Sequence, residues 1–476
     1  MYKKQHIHFI GIGGIGMSGL AQVLLTLNYS VSGSDLRSSE ITRRLEKMGA
    51  SIFKGHRAEQ VRDADVVVVS SAIRDDNPEL QAARLAGIPV IPRAEMLGEL
   101  MRLKKFGIAV AGAHGKTSTT SMVASVLQSA GLDPTVIIGG QVKGLGSNAH
   151  WGKGEFLVAE ADESDGSFLK LTPSIIVVTN IDREHLDYYA GLEEIKKSFA
   201  FFMDRIPFYG MTITCGDDPV LMEVVAEVGK RNITYGTGRG CDLQARNISF
   251  EGTRVSFDAV WHDAVMGRVS LSVPGLHHVR NALAAMAVGI ELGLSFDEIR
   301  EGLTKYRGVG RRFEFIGEAG GITIVDDYAH HPTEIRATLK AARAAWPDRR
   351  IIVLFEPHRY SRTKALMDEF ATAFQEADQL YLTEIYPASE KPIVGITGKR
   401  LAETIREHSS CPVEFVASVD ELPEAALPAL KQADVVMTLG AGAIGKMGPR
   451  LLELLSRRME PGLESREEEK IAPQGA

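Results

Sequence analysis

Short apolar runs recur along the chain, each followed by glycine or polar residues and then by a stretch with helical spacing. His6 to Ile10, Val66 to Ser70, Ile88 to Ile91, Ile108 to Ala111, Glu155 to Ala159, Ile175 to Thr179 and Met211 to Thr214 read as strands. So do Ile322 to Val325, Ile351 to Phe355, Gln379 to Thr383 and Val435 to Leu439. Runs of four to eight mostly apolar residues bounded by turn signals suit strands buried on both faces, and their alternation with helical segments predicts largely parallel sheets. Residues 242 to 273 change character. Arg254-Val255-Ser256-Phe257 and Arg268-Val269-Ser270-Leu271 alternate polar and apolar, which predicts an antiparallel excursion. A helix predicted from about Val279 to Leu292 restores the α/β style.

The expected fold is therefore α/β in three domains. Residues 1–106 form a Rossmann-like domain, 107–312 a P-loop ATPase-like central domain with the antiparallel excursion, and 313–458 a Rossmann-like C-terminal domain. Residues 459–476 are charged, contain Pro and Gly, lack apolar periodicity and read as a disordered tail. A chain of 476 residues has room for such an arrangement. Its 44% hydrophobic and 24% charged residues suit a globular protein, and no apolar run reaches the roughly 18 residues of a membrane span. The first apolar stretch leads into glycines instead of a small-residue cleavage site, so it reads as a strand and not as a signal peptide. A net charge of −7 argues against nucleic acid as the main partner. Cys215, Cys241 and Cys411 have neither metal nor disulfide spacing, which suits a reducing cytoplasm.

Two glycine turns each follow a strand. Gly11-Ile12-Gly13-Gly14-Ile15-Gly16, with Asp35 ending the next strand, matches a dinucleotide fingerprint and by itself suggests a nicotinamide-dependent oxidoreductase. Gly112-Ala113-His114-Gly115-Lys116-Thr117-Ser118 is a shortened phosphate loop, with Val110 where the full pattern has a glycine. Its backbone N–H groups would cradle phosphates, Lys116 would meet the β/γ-phosphates, and Thr117 would ligate Mg²⁺. Glu160, at a strand end, is an oxygen ligand of the kind Mg²⁺ takes, whereas Asp162, Glu163 and Asp165 read as a solvated acidic turn. His185 stands open between a ligand and a structural residue. Further on, Asp326-Asp327-Tyr328-Ala329-His330-His331-Pro332 and Pro357-His358-Arg359-Tyr360-Ser361-Arg362-Thr363 each follow an apolar strand. Arg359 and Arg362, three apart, suit a carboxylate or phosphate.

With these motifs, with Thr179-Asn180-Ile181-Asp182 and His185, and with Leu439-Gly440-Ala441-Gly442, the chain resembles the Mur ligase family over about residues 5 to 458. The resemblance implies that Gly11, Gly13, Gly14, Gly16 and Asp35 hold the UDP of a sugar nucleotide, not NAD. It implies that Gly112 to Ser118 and Asn281 bind ATP, that Thr117, Glu160 and His185 hold Mg²⁺, as two ions, and that Arg312 faces the transferring phosphoryl group. Tyr328, His330, Arg359 and Arg362 would then border the muramoyl carboxylate and the incoming amino acid; His330 is the candidate base, since a histidine near pH 7 suits proton transfer. The implied reaction is ATP-dependent joining of L-alanine to the lactyl carboxylate of UDP-N-acetylmuramate through an acyl phosphate. A ligase joining a murein tripeptide to the same nucleotide sugar and a non-catalytic ATP-binding switch are the alternatives. This chain departs from the family at His278, where an asparagine is usual, and has Phe199 where some members carry a carbamylated lysine; Lys196 and Lys197 lie nearby.

Overall fold

The computed structural model describes residues 5–70, 72–139, 148–186 and 188–459. The expected tail, from residue 460 onward, lies outside them. Three α/β sheets follow one another along the chain, as the strand pattern predicts.

The first sheet contains β1 (His6–Ile10), β2 (Ser30–Asp35), β3 (Ser51–Lys54), β4 (Val66–Val69) and β5 (Val90–Pro92) in the order β3-β2-β1-β4-β5. All its pairings are parallel. The chain steps outward from β1 through β2 to β3 and then returns to place β4 on the other side. The turn after β1 therefore opens at the switch point, where ligands bind in such sheets.

The second sheet runs through β6 (Phe106–Ala111), β7 (Thr135–Ile137), β8 (Ala149–His150), β9 (Phe156–Glu160), β10 (Ile175–Val178), β11 (Met211–Cys215), β12 (Asn232–Gly236), β13 (Leu243–Glu251), β14 (Arg254–Trp261) and β15 (Ala264–Leu271). β6 lies between β10 and β9, and its residues Gly107 to Ala111 are all buried, the reason the run reads as continuously apolar. The predicted excursion is present: β14 and β15 pair antiparallel, with Val255, Phe257, Val269 and Leu271 turned into the core. The predicted helix begins three residues early, at Leu276–Glu291, so His277 and His278 stand in its first turn.

The third sheet comprises β16 (Glu314–Ala319), β17 (Ile322–Asp327), β18 (Ile351–Phe355), β19 (Gln379–Leu382), β20 (Val413–Phe415) and β21 (Val435–Leu439), ordered β16-β17-β21-β18-β19-β20. β16 is an antiparallel edge strand absent from the sequence expectation. Parallel register sets Asp327 beside Leu439 and Leu439 beside Phe355, so the loops after β17, β18 and β21 leave the sheet together.

Packing divides the chain into two compact units. The first two sheets belong to one, through Val309; the third belongs to the other, from Gly310 onward, with Phe250–Arg254 and Val273–Leu276. The three cysteines are buried and unpaired, and burial pushes their thiols up to about 12 for Cys215, 11 for Cys241 and 12 for Cys411. Among the described residues no helix is long and apolar enough to cross a membrane.

Candidate active site

The turn after β1 is shaped by its neighbours in the sheet. Gly11 takes a left-handed φ of 82°, and the N–H groups of Gly11 and Ile12 donate to the Ser34 carbonyl at 2.9 and 3.0 Å. Gly13 N–H donates to Asp35 Oδ2 at 3.0 Å, and a Cβ at Gly13 would stand 2.7 Å from that oxygen. Asp35 is thus engaged by the turn's own amide and, through Oδ1, by the Arg37 N–H. Gly14 caps the helix Ile15–Thr26 without a side-chain bond. At Gly16 a Cβ would meet Arg93 Nη1 at 2.9 Å.

A fully buried carboxylate lies beneath this turn. Glu79 accepts from Ser34 Oγ at 2.5 Å, and its oxygens lie 2.7 Å from His56 Nδ1 and 3.1 Å from His8 Nε2. Burial alone would raise its pKa, but hydrogen bonds from His8, Ser34 and His56 outweigh that and hold the carboxyl below its ordinary range.

The turn after β6 is built differently. Gly112 and Gly115 take φ of 126° and 84°, and Gly115 caps the helix Lys116–Ser129 with no side-chain bond. Thr179 and Asn180 mould the loop: Thr179 Oγ1 and Asn180 Nδ2 donate to the His114 carbonyl at 2.6 and 2.9 Å, while Asn180 accepts from the N–H groups of His114 and Ala113. Lys116 Nζ donates to the Gly112 carbonyl at 2.6 Å and to both oxygens of Glu163, at 2.7 and 2.9 Å. Burial would lower the Lys116 pKa, yet Glu163, Asp162 and Glu184 together raise it, so the ammonium stays charged. Ser118 is buried in the first turn of the helix, and Asn281 lies against the loop, its Oδ1 2.9 Å from where a Cβ of Gly115 would be.

Glu163 corrects the reading of residues 162–165 as a solvated turn. Gly166 N–H donates back to the Glu163 carbonyl, Tyr189 hydroxyl donates to the same oxygen, and the residue is 2% exposed. Asp162 is half-buried. Burial would raise its pKa, but Lys116, Arg93 and hydrogen bonds from Ser164 hold it below the ordinary range. His185, at a φ of 56°, places Nε2 3.4 Å from Glu163, while Glu160 accepts from Gly139 N–H at 2.9 Å. His114 bonds Asp182 at 2.9 Å.

This corner fits a nucleotide polyphosphate with a hard cation. A lysine already lined by carbonyl and carboxylate oxygens stands beside a helix N-terminus that no side chain caps. Thr117, Glu160 and Glu163 offer oxygens and His185 a nitrogen.

In the second unit, the loops after β17 and β18 gather the remaining candidates. Phe313 and Ala329 N–H groups donate to Asp327 at 2.7 and 2.8 Å, but burial dominates and pushes this carboxyl up to about 6. The guanidiniums of Arg311 and Arg312 lie 5.2 and 5.1 Å from the Tyr328 ring centroid, and Arg312 also faces Glu334 at 3.6 Å. His330 Nδ1 lies 2.8 Å from the Tyr328 carbonyl, which can only accept; neutral His330 therefore leaves Nε2 unprotonated. His358 stands edge-on to His330 at 5.4 Å, stacks on Tyr386 and lies 3.1 Å from Arg362 Nη1. Arg359 adopts φ 71°, pinned by its N–H bond to the Tyr386 carbonyl.

The structure thus gathers Lys116, His185 and Glu163 in one corner and Tyr328, His330, Arg312 and Arg362 in another. Glu163, Asn180 and Arg93 went unassigned in the sequence. Asn180 sits in a quoted motif, Glu163 is one acid in a run of acids, and Arg93 carries no motif at all.

Three family profiles match in series: "Mur ligase family, catalytic domain" over residues 6–105, "Mur ligase middle domain" over 110–289, and "Mur ligase, glutamate ligase domain" over 311–442. A UDP-N-acetylmuramate–L-alanine ligase of Desulfosudis oleivorans is 57% identical, covering 94% of this chain and 98% of its own. Among solved structures, a UDP-N-acetylmuramate-alanine ligase of Thermotoga maritima superposes with a TM-score of 0.81 at 31% identity, over 95% of this chain and all of that one. A murein peptide ligase of Psychrobacter arcticus gives 0.69 at 27%, over 95% and 99%.

Proposed function

The chain belongs to the Mur ligase family, and on that premise we propose how its residues carry the reaction. It is an ATP-dependent ligase that joins L-alanine to UDP-N-acetylmuramate in peptidoglycan precursor synthesis. The observation that carries this choice over the tripeptide ligase is the near-full-length identity of 57% to an L-alanine ligase, together with a TM-score of 0.81 to a solved L-alanine ligase against 0.69 to the murein peptide ligase.

A carboxylate resists attack by an amine, so the lactyl carboxylate must first be activated. Its oxygen attacks the γ-phosphorus of ATP, the bond to the bridging oxygen breaks and ADP leaves. Lys116 moves from Glu163 to the β/γ-phosphates, offsetting charge where it develops, and the amides at Gly115 to Ser118 hold the phosphates in line. Thr117, Glu160 and His185 would hold Mg²⁺, as two ions, which supply further charge neutralisation. Asn281, packed on Gly115, would border the adenine nucleotide. Arg312 would meet the phosphoryl group.

The amine of L-alanine then attacks the acyl carbon, the carbon–oxygen bond to phosphate breaks, and phosphate leaves. Arg359 and Arg362 would grip the alanine carboxylate, with Tyr328 at their side. His330 Nε2, the unprotonated nitrogen of the tautomer set by the Tyr328 carbonyl, takes the amine proton. Gly11, Gly13, Gly14, Gly16 and Asp35 hold the UDP end. We place the enzyme in the cytoplasm, where three unpaired thiols stay reduced.

Phosphate release with UDP-N-acetylmuramate and a panel of L-alanine, glycine, L-serine and murein tripeptide tests the reading. L-Alanine should give the highest kcat/KM, and hydroxylamine in its place should trap a hydroxamate. Faster turnover with the tripeptide would overturn the substrate assignment, and ADP formation without hydroxamate the acyl-phosphate route.

A further inference from the structure

One side chain outside both glycine motifs joins the turn after β1 to the Lys116 corner. Arg93 opens the helix Arg93–Arg102 directly after β5. Its Nη2 donates to Asp162 Oδ2 at 2.8 Å. The other side of the same guanidinium lies against Gly16, where a Cβ would stand 2.9 Å from Nη1 and 3.0 Å from Cδ. On the backbone beside Gly16, the Ile15 carbonyl accepts from Asn148 Nδ2, at the edge of the second sheet. On the far side, Asp162 directly precedes Glu163, the carboxylate that grips Lys116. The contacts thus run from Gly16 to Arg93, to Asp162, and through one peptide bond to Glu163 and Lys116.

Stability does not account for this arrangement. The Arg93–Asp162 pair is 28% and 40% exposed, and such pairs contribute only about 0–1 kcal/mol. Yet a β-carbon at the last glycine of the fingerprint would crowd the guanidinium. We propose that Arg93 is a positioning residue that couples the sugar-nucleotide turn to the Asp162–Glu163–Lys116 corner, so that UDP-N-acetylmuramate and ATP bind interdependently. The proposal rests on the assignment of the two turns given above. A shift of the turn on binding the sugar nucleotide moves the guanidinium against Gly16, and its fork transmits that shift to Asp162. By linkage, ATP must alter the affinity for the sugar nucleotide by the same factor.

The test is calorimetric binding of UDP-N-acetylmuramate with and without a non-hydrolysable ATP analogue, on wild type, Arg93→Lys, Gly16→Ala and the double variant. Lysine keeps the charge and loses the fork. Alanine at 16 wedges the guanidinium away from Asp162. Wild type should show about fivefold coupling or more. Both single variants should bring it below about twofold, and the double variant should lose no more than either, since both break one contact. ATP affinity measured alone and a melting curve within a few degrees of wild type certify folding. Coupling absent in wild type, or retained in either single variant, overturns the proposal. A wild type that binds ATP but no UDP-N-acetylmuramate overturns instead the assignment of the sugar-nucleotide turn.

Discussion

The two glycine turns use the same residue for different ends. At Gly13 and Gly16 the backbone is ordinary and the missing side chain makes room for other parts of the protein, the Asp35 carboxylate and the Arg93 guanidinium. At Gly112 and Gly115 the backbone itself is left-handed, and the loop it forms sets a lysine among oxygens. The acids beneath them differ in the same way: Glu79 is satisfied by histidines and a serine hydroxyl, Glu163 by an ammonium. At Gly13 and Gly16 the surroundings decide, and at Gly112 and Gly115 the left-handed backbone does, so substitutions at these positions should affect the two turns unequally.

The largest effect should come from Lys116→Ala. It removes the charge that meets the phosphates and leaves Glu163 buried without its cation, so phosphate release should fall by about a thousandfold or more. A variant within tenfold of wild type would erase the distinction between the turns. Next, Gly115→Ala forces a β-carbon into a left-handed backbone and against Asn281, and should raise the KM for ATP by about 10- to 100-fold. Gly13→Ala keeps an ordinary backbone and meets only side chains, the Asp35 carboxylate and the Thr42 methyl, so its KM for the sugar nucleotide should rise a few-fold, with ATP unaffected. Equal penalties would show that the two glycines do the same job.

The smallest effect concerns pH. Glu79 is held below its unfolded value, so its contribution to stability is present above the ordinary carboxylate range and is lost as pH falls through the folded value. Asp327 is raised to about 6, so its contribution is fullest below pH 4 and is lost as pH rises through 6. Melting temperatures should therefore respond in opposite senses to Glu79→Gln, as pH falls below the ordinary carboxylate range, and to Asp327→Asn, as pH rises from 4 through 6, by about 2–4 °C for each kcal/mol involved. Parallel responses would mean that partner chemistry does not set the two values.

Strands such as β6, β10, β18 and β21 were legible because burial on both faces writes an unbroken apolar run. β16 was not, since Phe315 and Glu318 of this edge strand face outward and Gly317 interrupts the pattern. In the site, Lys116 announced itself through a local motif whose chemistry lies within a few residues. The acid that grips it lies 47 positions away in sequence, among other acids, and only folding distinguishes Glu163 from Asp165. Arg93 could not be read at all: what marks it is the space beside Gly16, and space is not a property of sequence.

The three buried thiols give the molecule its own unfolding clock. Cys215 and Cys241 lie in the first unit and Cys411 in the second, each shielded and held protonated by its surroundings. A thiol reagent reaches them only when the chain opens around them. Mass-resolved labelling would then time the opening of each unit separately, with no probe introduced, and would reveal which half nucleotide or sugar nucleotide keeps shut.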